Sequence, residues 1–440
     1  MSAHLIDALP RRLLLAGLVT LALGGHVPAL HAQGLPTAKP EDVGLSSARL
    51  ARIGDWLRGE VAQKKIPGAV IVVVRGGKVA YRDTIGQRDP ASPAPMKADD
   101  IFRIYSMSKP IVSVAAMMLV EEGKLLLDAP VARYIPAFAD VKVGVEKTDA
   151  QGSKTLELVA PRRAITVQDL MRHTSGLTYG FFGEGLVKQA YRDAGINASG
   201  NISAAEFAER IAKMPLAYQP GSTWEYSNST DVLGRVIEVV SGEKLSQFLK
   251  TRLLDPLGMK DTSFYVPEPE RQVRIAEPLP DDRSIGVNAP VFDPRQVMAM
   301  ESGGGGLMST AADYTRFLVM LRNGGQLDGR RYLSPATLAY MTSDHLNAAV
   351  TRTPLYLPGP GYGFGLGFAV RTSAGEAAFM SPVGEYNWGG AGGTYMWVDP
   401  ASDLVVVFMM QSPKQRVIYR SILRNMIYGA FTESRLPAAR

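Results

Sequence analysis

Cysteine is absent from the 440 residues. Disulfides, thiolate nucleophiles and cysteine-held metals are therefore excluded. Histidine is scarce: of five, His4, His26 and His31 fall in the first 32 residues, leaving only His173 and His345 beyond them. A histidine-rich metal site has no ligands to draw on, and neither a metal nor a cofactor is expected. Long apolar runs are missing too. The stretch from Leu13 to Leu23 is the most lipophilic, yet a bilayer span needs about 20 residues. No block of five like charges and no basic stripe interleaved with aromatics occurs, so nucleic acid is not an expected partner. The net charge of +6 is spread thinly.

What is present suits a large soluble domain: 46% hydrophobic and 20% charged residues, enough for a sizeable core. The first 32 residues read as an export signal. Arg11 and Arg12 supply the positive start, the short apolar stretch follows, and small residues stand at Ala29 and Ala32. The expected mature chain is 33–440, in the periplasm or secreted. Membrane contact would come only through an uncleaved signal.

Apolar residues at Leu50, Ile53, Leu57 and Val61 recur at helical spacing. Runs at Ala69–Val74 and Lys78–Asp83, joined by Arg75-Gly76-Gly77, read as a hairpin. Further strands are expected at Gly365–Val370, Thr394–Val398 and Leu404–Met410, then a helix over Gln415–Ala430. Between these ends helices dominate, with capping pairs at Thr166/Asp169, Ser203/Glu206 and Thr310/Asp313, and Ser334 before Pro335. The stretch Lys142–Lys154 reads as a surface loop. The fold class is thus α/β (α+β). A sheet lobe comes from about 40–100 and 360–440, and an inserted all-helical lobe from about 101–359. The seam between such lobes is a usual place for a site.

Three constellations carry chemistry. In Ser106-Met107-Ser108-Lys109, a spacing of three puts both functional side chains on one face at the start of an apolar helix. A serine hydroxyl needs a base to become a nucleophile, and a lysine amine serves only when neutral. The same four residues also read as a helix cap beside a solvated lysine. In Tyr226-Ser227-Asn228, a phenol could share a proton with a nearby lysine while Asn228 steers both; a turn with a capping residue is the plainer reading. In Trp388-Gly389-Gly390-Ala391-Gly392-Gly393-Thr394, glycines leading into a strand would let a substrate approach closely. A backbone N–H there could pair with that of Ser106 as an oxyanion hole. A flexible glycine turn is again the alternative.

Together these motifs resemble the penicillin-recognising serine hydrolases, the β-lactamases and DD-peptidases. His173-Thr174-Ser175-Gly176-Leu177, Pro256-Leu257-Gly258-Met259, and Gly303–Leu307 with Ser309-Thr310-Ala311 extend the likeness, in matching order, from about residue 40 to 430. The resemblance implies a β-lactamase/DD-peptidase-like fold, an antiparallel sheet flanked by helices. It implies Ser106 as nucleophile, Lys109 as helper base, Tyr226 as second base, and the amides of Ser106 and Ala391 as oxyanion hole. His173 would be structural. One departure matters: such enzymes carry Lys-Thr-Gly where this chain has Trp388-Gly389-Gly390. The missing lysine would pair with a substrate carboxylate, a contact of about 1.5 to 3 kcal/mol. Trp-Gly-Gly instead resembles the family VIII carboxylesterases, which implies a small neutral ester as substrate. Tyr179, Phe181, Phe182 and Trp388 could wall an apolar pocket, or simply pack the lobe interface. A β-lactamase or DD-peptidase is the alternative within enzymes, and a catalytically silent binding protein the alternative outside them.

Overall fold

The computed structural model describes residues 34–196, 201–286 and 289–433. The expected signal, 1–32, lies outside the described residues. In chain order, helix α1 (Ser47–Ala62) precedes the hairpin β1 (Gly68–Arg75) and β2 (Lys78–Gly86). Helix α2 (Ser108–Glu121), strands β3 (Val143–Thr148) and β4 (Lys154–Val159), and helices α3 (Val167–Met171), α4 (Ser229–Ser241) and α5 (Ala311–Arg322) follow. The C-terminal part holds β5 (Tyr362–Phe364), β6 (Ala369–Arg371), β7 (Tyr386–Gly389), β8 (Tyr395–Asp399), β9 (Leu404–Met410) and helix α6 (Arg416–Tyr428).

Seven strands form one antiparallel sheet in the order β5-β6-β7-β8-β9-β1-β2, so both ends of the chain build it, as the sequence suggested. Strand β9 explains the layering. All seven of its residues are buried, and side chains alternate between faces with the period of two. Leu404, Val406, Phe408 and Met410 pack against α1 and α6, whereas Val405, Val407 and Met409 face the larger helical core. Strand β8 splits the same way: Tyr395 and Trp397 go to the α1/α6 side, Met396 and Val398 to the other. Each fully buried aliphatic side chain contributes about 1.5–3 kcal/mol, so this run anchors the three layers.

The inserted lobe is not all-helical. Residues 143–159 form a β-hairpin rather than the loop expected over Lys142–Lys154. Its polar, Lys- and Glu-bearing faces hid a strand alternation that ends in Leu156 and Leu158. Of the strand expected over Gly365–Val370, only Ala369 and Val370 are strand, opening β6; residues 365–368 are the turn after β5, where Gly365 N–H donates to Phe368 O and Gly367 adopts φ +94°. Strand β7, which the glycine-rich tail of its motif obscured, was not foreseen. The caps hold: Thr166, Ser203, Thr310 and Ser334 each accept the N–H three residues on. Thr166 and Asp169 complete the reciprocal box.

Candidate active site

Ser106 sits not in the helix itself but on a 3-10 turn, Tyr105–Met107, that runs straight into α2. Tyr105 holds φ +44°, a conformation costing a non-glycine residue roughly 1–3 kcal/mol. That kink leaves Ser106 half-buried while Tyr105 and Met107 are buried on either side. A spacing of three still brings Ser106 and Lys109 onto one side, because the 3-10 turn has three residues per turn.

Lys109, in the first turn of α2, is only 1% exposed. Its Nζ donates to Gly304 O at 2.7 Å and to the Tyr179 hydroxyl at 3.3 Å, and lies 4.5 Å from the centre of the Tyr226 ring. Both hydrogen-bond partners are uncharged. Gly304 is in turn fixed by Asp231 in the first turn of α4. Its Oδ1 accepts from Gly304 N–H at 3.0 Å and from Ser302 Oγ at 2.5 Å. Burial raises the Asp231 pKa; the Lys109 charge and these two bonds oppose the rise. Asp231 and the Gly304 carbonyl were not anticipated as site groups. From sequence Tyr179 reads as a pocket wall, yet its hydroxyl also serves Lys109. Burial, then the charges of Asp231 and Tyr226, push the Tyr179 phenol well above its usual range.

Tyr226 lies just before α4, with a buried hydroxyl that no group among the described residues bonds. Its ring packs against Trp224, Tyr179, His173 and Trp388, with centroids 6.0, 5.5, 4.9 and 5.5 Å away. An orphaned buried hydroxyl costs about 1–3 kcal/mol, and functional sites are where such costs persist. Asn228 caps α4 through its backbone, while its side-chain Nδ2 donates to Thr178 O at 3.0 Å. That bond ties the second motif to the segment carrying Tyr179. A buried hydroxyl chain runs beneath: Ser227 to Ser229 at 2.7 Å, then Ser229 to Ser175 at 2.7 Å.

His173 joins this chain, its Nδ1 3.4 Å from Ser227 Oγ, with its ring against Trp224 and Phe364. Burial first, then the Lys109 charge, drives its pKa well below the usual value, so it is neutral. These contacts place its ring between the turn and the second motif.

The third motif closes the site. Trp388 is buried and turns its ring to Tyr226 and Phe364, on the helical face of the sheet. Phe181 stacks on Tyr179 at 4.8 Å but is 44% exposed, a rim rather than a wall. The glycines are explained by protein, not by room for substrate. A Cβ at Gly390 would come within 2.4 Å of Ile104 O, and one at Gly392 within 2.7 Å of the Tyr105 ring. The glycine turn therefore lies directly on the Ser106 turn, with the Thr394 hydroxyl bonded to Ile104 O at 3.3 Å. The Ala391 N–H at its tip has no protein acceptor among the described residues. At Gly389 the missing side chain makes way for the guanidinium of Arg420, from α6. Among the described residues no cluster of His, Asp or Glu is placed to hold a metal.

Residues 53–425 match the Beta-lactamase family. The chain belongs to that family. Among its β-lactamase-family relatives is Esterase EstB of Burkholderia gladioli, 34% identical over 85% of this chain and 92% of that protein. Lovastatin esterase of Penicillium rubens is 31% identical over 67% and 73%. Of solved structures, EstCE1, described as a hydrolase with promiscuous acyltransferase activity, superposes with TM-score 0.71 at 28% identity. It covers 87% of this chain and 99% of its own. The fold is thus the β-lactamase/DD-peptidase fold, with its antiparallel sheet flanked by helices.

Proposed function

We propose that this protein is a serine esterase that cleaves small carboxylic esters through an acyl-enzyme at Ser106. The observation that carries the reading is Lys109: a lysine buried at the foot of the Ser106 turn, bonded only to neutral groups, with the Tyr226 ring against it. The family and the esterases among its relatives support the substrate class.

Ser106 Oγ attacks the ester carbonyl carbon and gives its proton to the Lys109–Tyr226 pair. The N–H groups of Ser106 and Ala391 take the charge that develops on the carbonyl oxygen. The carbon–oxygen bond breaks, and the alcohol leaves with the proton returned through Tyr226. Water then gives a proton to the same pair and attacks the acyl carbon; the bond between that carbon and Ser106 Oγ breaks, Oγ takes the proton back, and the acid is freed. Asn228 and Tyr179 hold the framework, and Trp388 with the Phe181 rim borders the substrate. Residues 1–32 serve as an export signal in this reading, which places the enzyme in the periplasm or outside the cell. Ser106→Ala is expected to abolish hydrolysis of 4-nitrophenyl butyrate while thermal unfolding stays within about 1 kcal/mol of wild type. A folded variant that keeps substantial activity would overturn the assignment.

A further inference from the structure

Residues 179–182 form a short turn, closed by Phe182 N–H on Tyr179 O at 3.3 Å, that brings Tyr179 to Lys109 and Phe181 to the rim. Both ends of this turn are tied to one buried ion pair. Lys188, on the helix Leu186–Asp193, meets Glu225 at 2.7 Å, with side chains 7% and 1% exposed. Ahead of the turn, Thr178 Oγ1 donates to the same Glu225 oxygen, Oε1, at 2.7 Å. At its end, Lys188 Nζ donates to Phe182 O at 2.5 Å. The contacts close a ring through Thr178, Glu225, Lys188 and Phe182. Gly183 then leads the chain away with φ +84°, and a Cβ there would lie 3.0 Å from Lys188 Nζ. A side chain at that position would be strained and would press on the ammonium.

The ring is joined to the second motif. Glu225 directly precedes Tyr226, and Asn228 Nδ2 also holds Thr178, through its carbonyl, at 3.0 Å. The rings of Tyr179 and Phe182 stand 5.5 and 6.4 Å from that of Tyr226. The bond from Lys109 Nζ to the Tyr179 hydroxyl is long, at 3.3 Å, so a small shift of the turn breaks it. A buried ion pair seldom stabilises a fold more than apolar side chains of the same volume would. What this pair adds is direction, because each partner also grips one neutral group at one end of the turn.

We infer that Lys188 and Glu225 are positioning residues: the pair clasps the 179–182 turn onto the second motif and thereby keeps the Tyr179 hydroxyl on Lys109. Their effect on the reaction passes through Tyr179. This rests on the esterase reading, in which Lys109 handles the proton of Ser106.

The test is a double-mutant cycle on kcat/KM for 4-nitrophenyl butyrate, which reports acylation whichever step limits turnover. Combining Lys188→Met with Glu225→Gln removes both charges together, so neither is left buried alone. With Tyr179 intact, this pair variant is expected to lower kcat/KM roughly 3- to 10-fold, the order that one hydrogen bond supports. In a Tyr179→Phe background, already slowed by a similar factor, it is expected to add less than about 2-fold, because the two changes break the same link. A merely structural pair would slow both backgrounds equally. That result, or no effect of the pair variant with Tyr179 intact, would overturn the proposal. Thr178→Val cuts the ring at a different bond and leaves the ions paired; it should show the same non-additivity, and it carries the cycle alone where the pair variant does not fold. Should no ester be hydrolysed, the function reading fails on its own, and amide hydrogen exchange still decides the clasp. Faster exchange over residues 178–186 in the pair variant or Thr178→Val, with α2 unchanged, supports it; unchanged exchange over 178–186 refutes it.

Discussion

Replacing Gly390 by alanine tests whether the third-motif turn is built onto the nucleophile turn. Gly390 has no left-handed φ, so an alanine meets no backbone strain there. Its Cβ, however, would lie 2.3 Å from Thr394 Oγ1 and 2.4 Å from Ile104 O. Real Cβ contacts do not come that close, and Ile104 O is main chain, two residues before Ser106. One of the two turns must move. Overpacking of this kind costs typically about 1–3 kcal/mol. If the displacement takes the Ala391 N–H out of line with the carbonyl oxygen, loss of one oxyanion donor lowers the rate by about 10²–10³. The expected result is a stability loss in that range, by urea or thermal unfolding, together with a fall in kcat/KM for 4-nitrophenyl butyrate far larger than unfolding accounts for. Gly59→Ala in α1 is the control. Nothing lies within 4 Å of its Cβ, so helix propensity should stabilise it by about 0.5–1 kcal/mol with activity unchanged. If Gly390→Ala kept activity and stability within a few-fold of wild type, the contact between the turns would not be what shapes the site.

Two further outcomes follow from named groups. If the pair handles one proton as proposed, Lys109→Ala and Tyr226→Phe should each slow acylation by orders of magnitude while the double variant loses little more; additive penalties in pre-steady-state rates would refute the shared role. Asp313, which accepts from Asp261 N–H at 2.8 Å and Thr262 Oγ1 at 2.9 Å, has its pKa pushed by burial from 3.8 to about 6. The folded state therefore holds a proton that the unfolded chain releases, and stability falls as pH rises from about 4 to 6, by about 3 kcal/mol in all. Asp313→Asn should flatten that slope in urea titrations; an unchanged slope would show that the carboxyl is ionised throughout.

Much of this candidate site could be read from residue order alone, because the residues proposed for it sit in short motifs. Ser106 and Lys109 are three residues apart, and Tyr226 opens a helix whose first turn is plain in Val232 and Val236. The sheet showed itself in β9, where seven consecutive apolar residues rich in β-branched valines, at strand length, suit a strand buried on both faces. What escaped were contacts made at long range by residues with ordinary neighbours. Asp231 reads as a first-turn acid, favourable to any helix dipole; only folding brings the Gly304 N–H to it. Arg420 is one of three arginines on an amphipathic helix, and nothing local in the sequence separates it from Arg416 and Arg424. The glycines of the third motif misled in an instructive way. Their spacing suggested openness to a substrate, whereas the space beside three of them is filled by Ile104 O, the Tyr105 ring and Arg420. The hairpin at 143–159 was hidden because its strands project from the lobe and bury little, leaving charge where alternation would have shown.

The central claim is that Ser106 forms the covalent intermediate. A 4-nitrophenyl alkylphosphonate phosphonylates the nucleophile, forming an Oγ–P bond as the P–O bond to 4-nitrophenol breaks, and leaves a stable adduct, so peptide mapping by mass spectrometry after exposure reads the nucleophile directly. One adduct per chain is expected, on the peptide containing Ser106, formed with release of one equivalent of 4-nitrophenol and slowed in Lys109→Ala and Tyr226→Phe. An adduct on another residue, or continued ester turnover by an unlabelled chain after prolonged exposure, would contradict it.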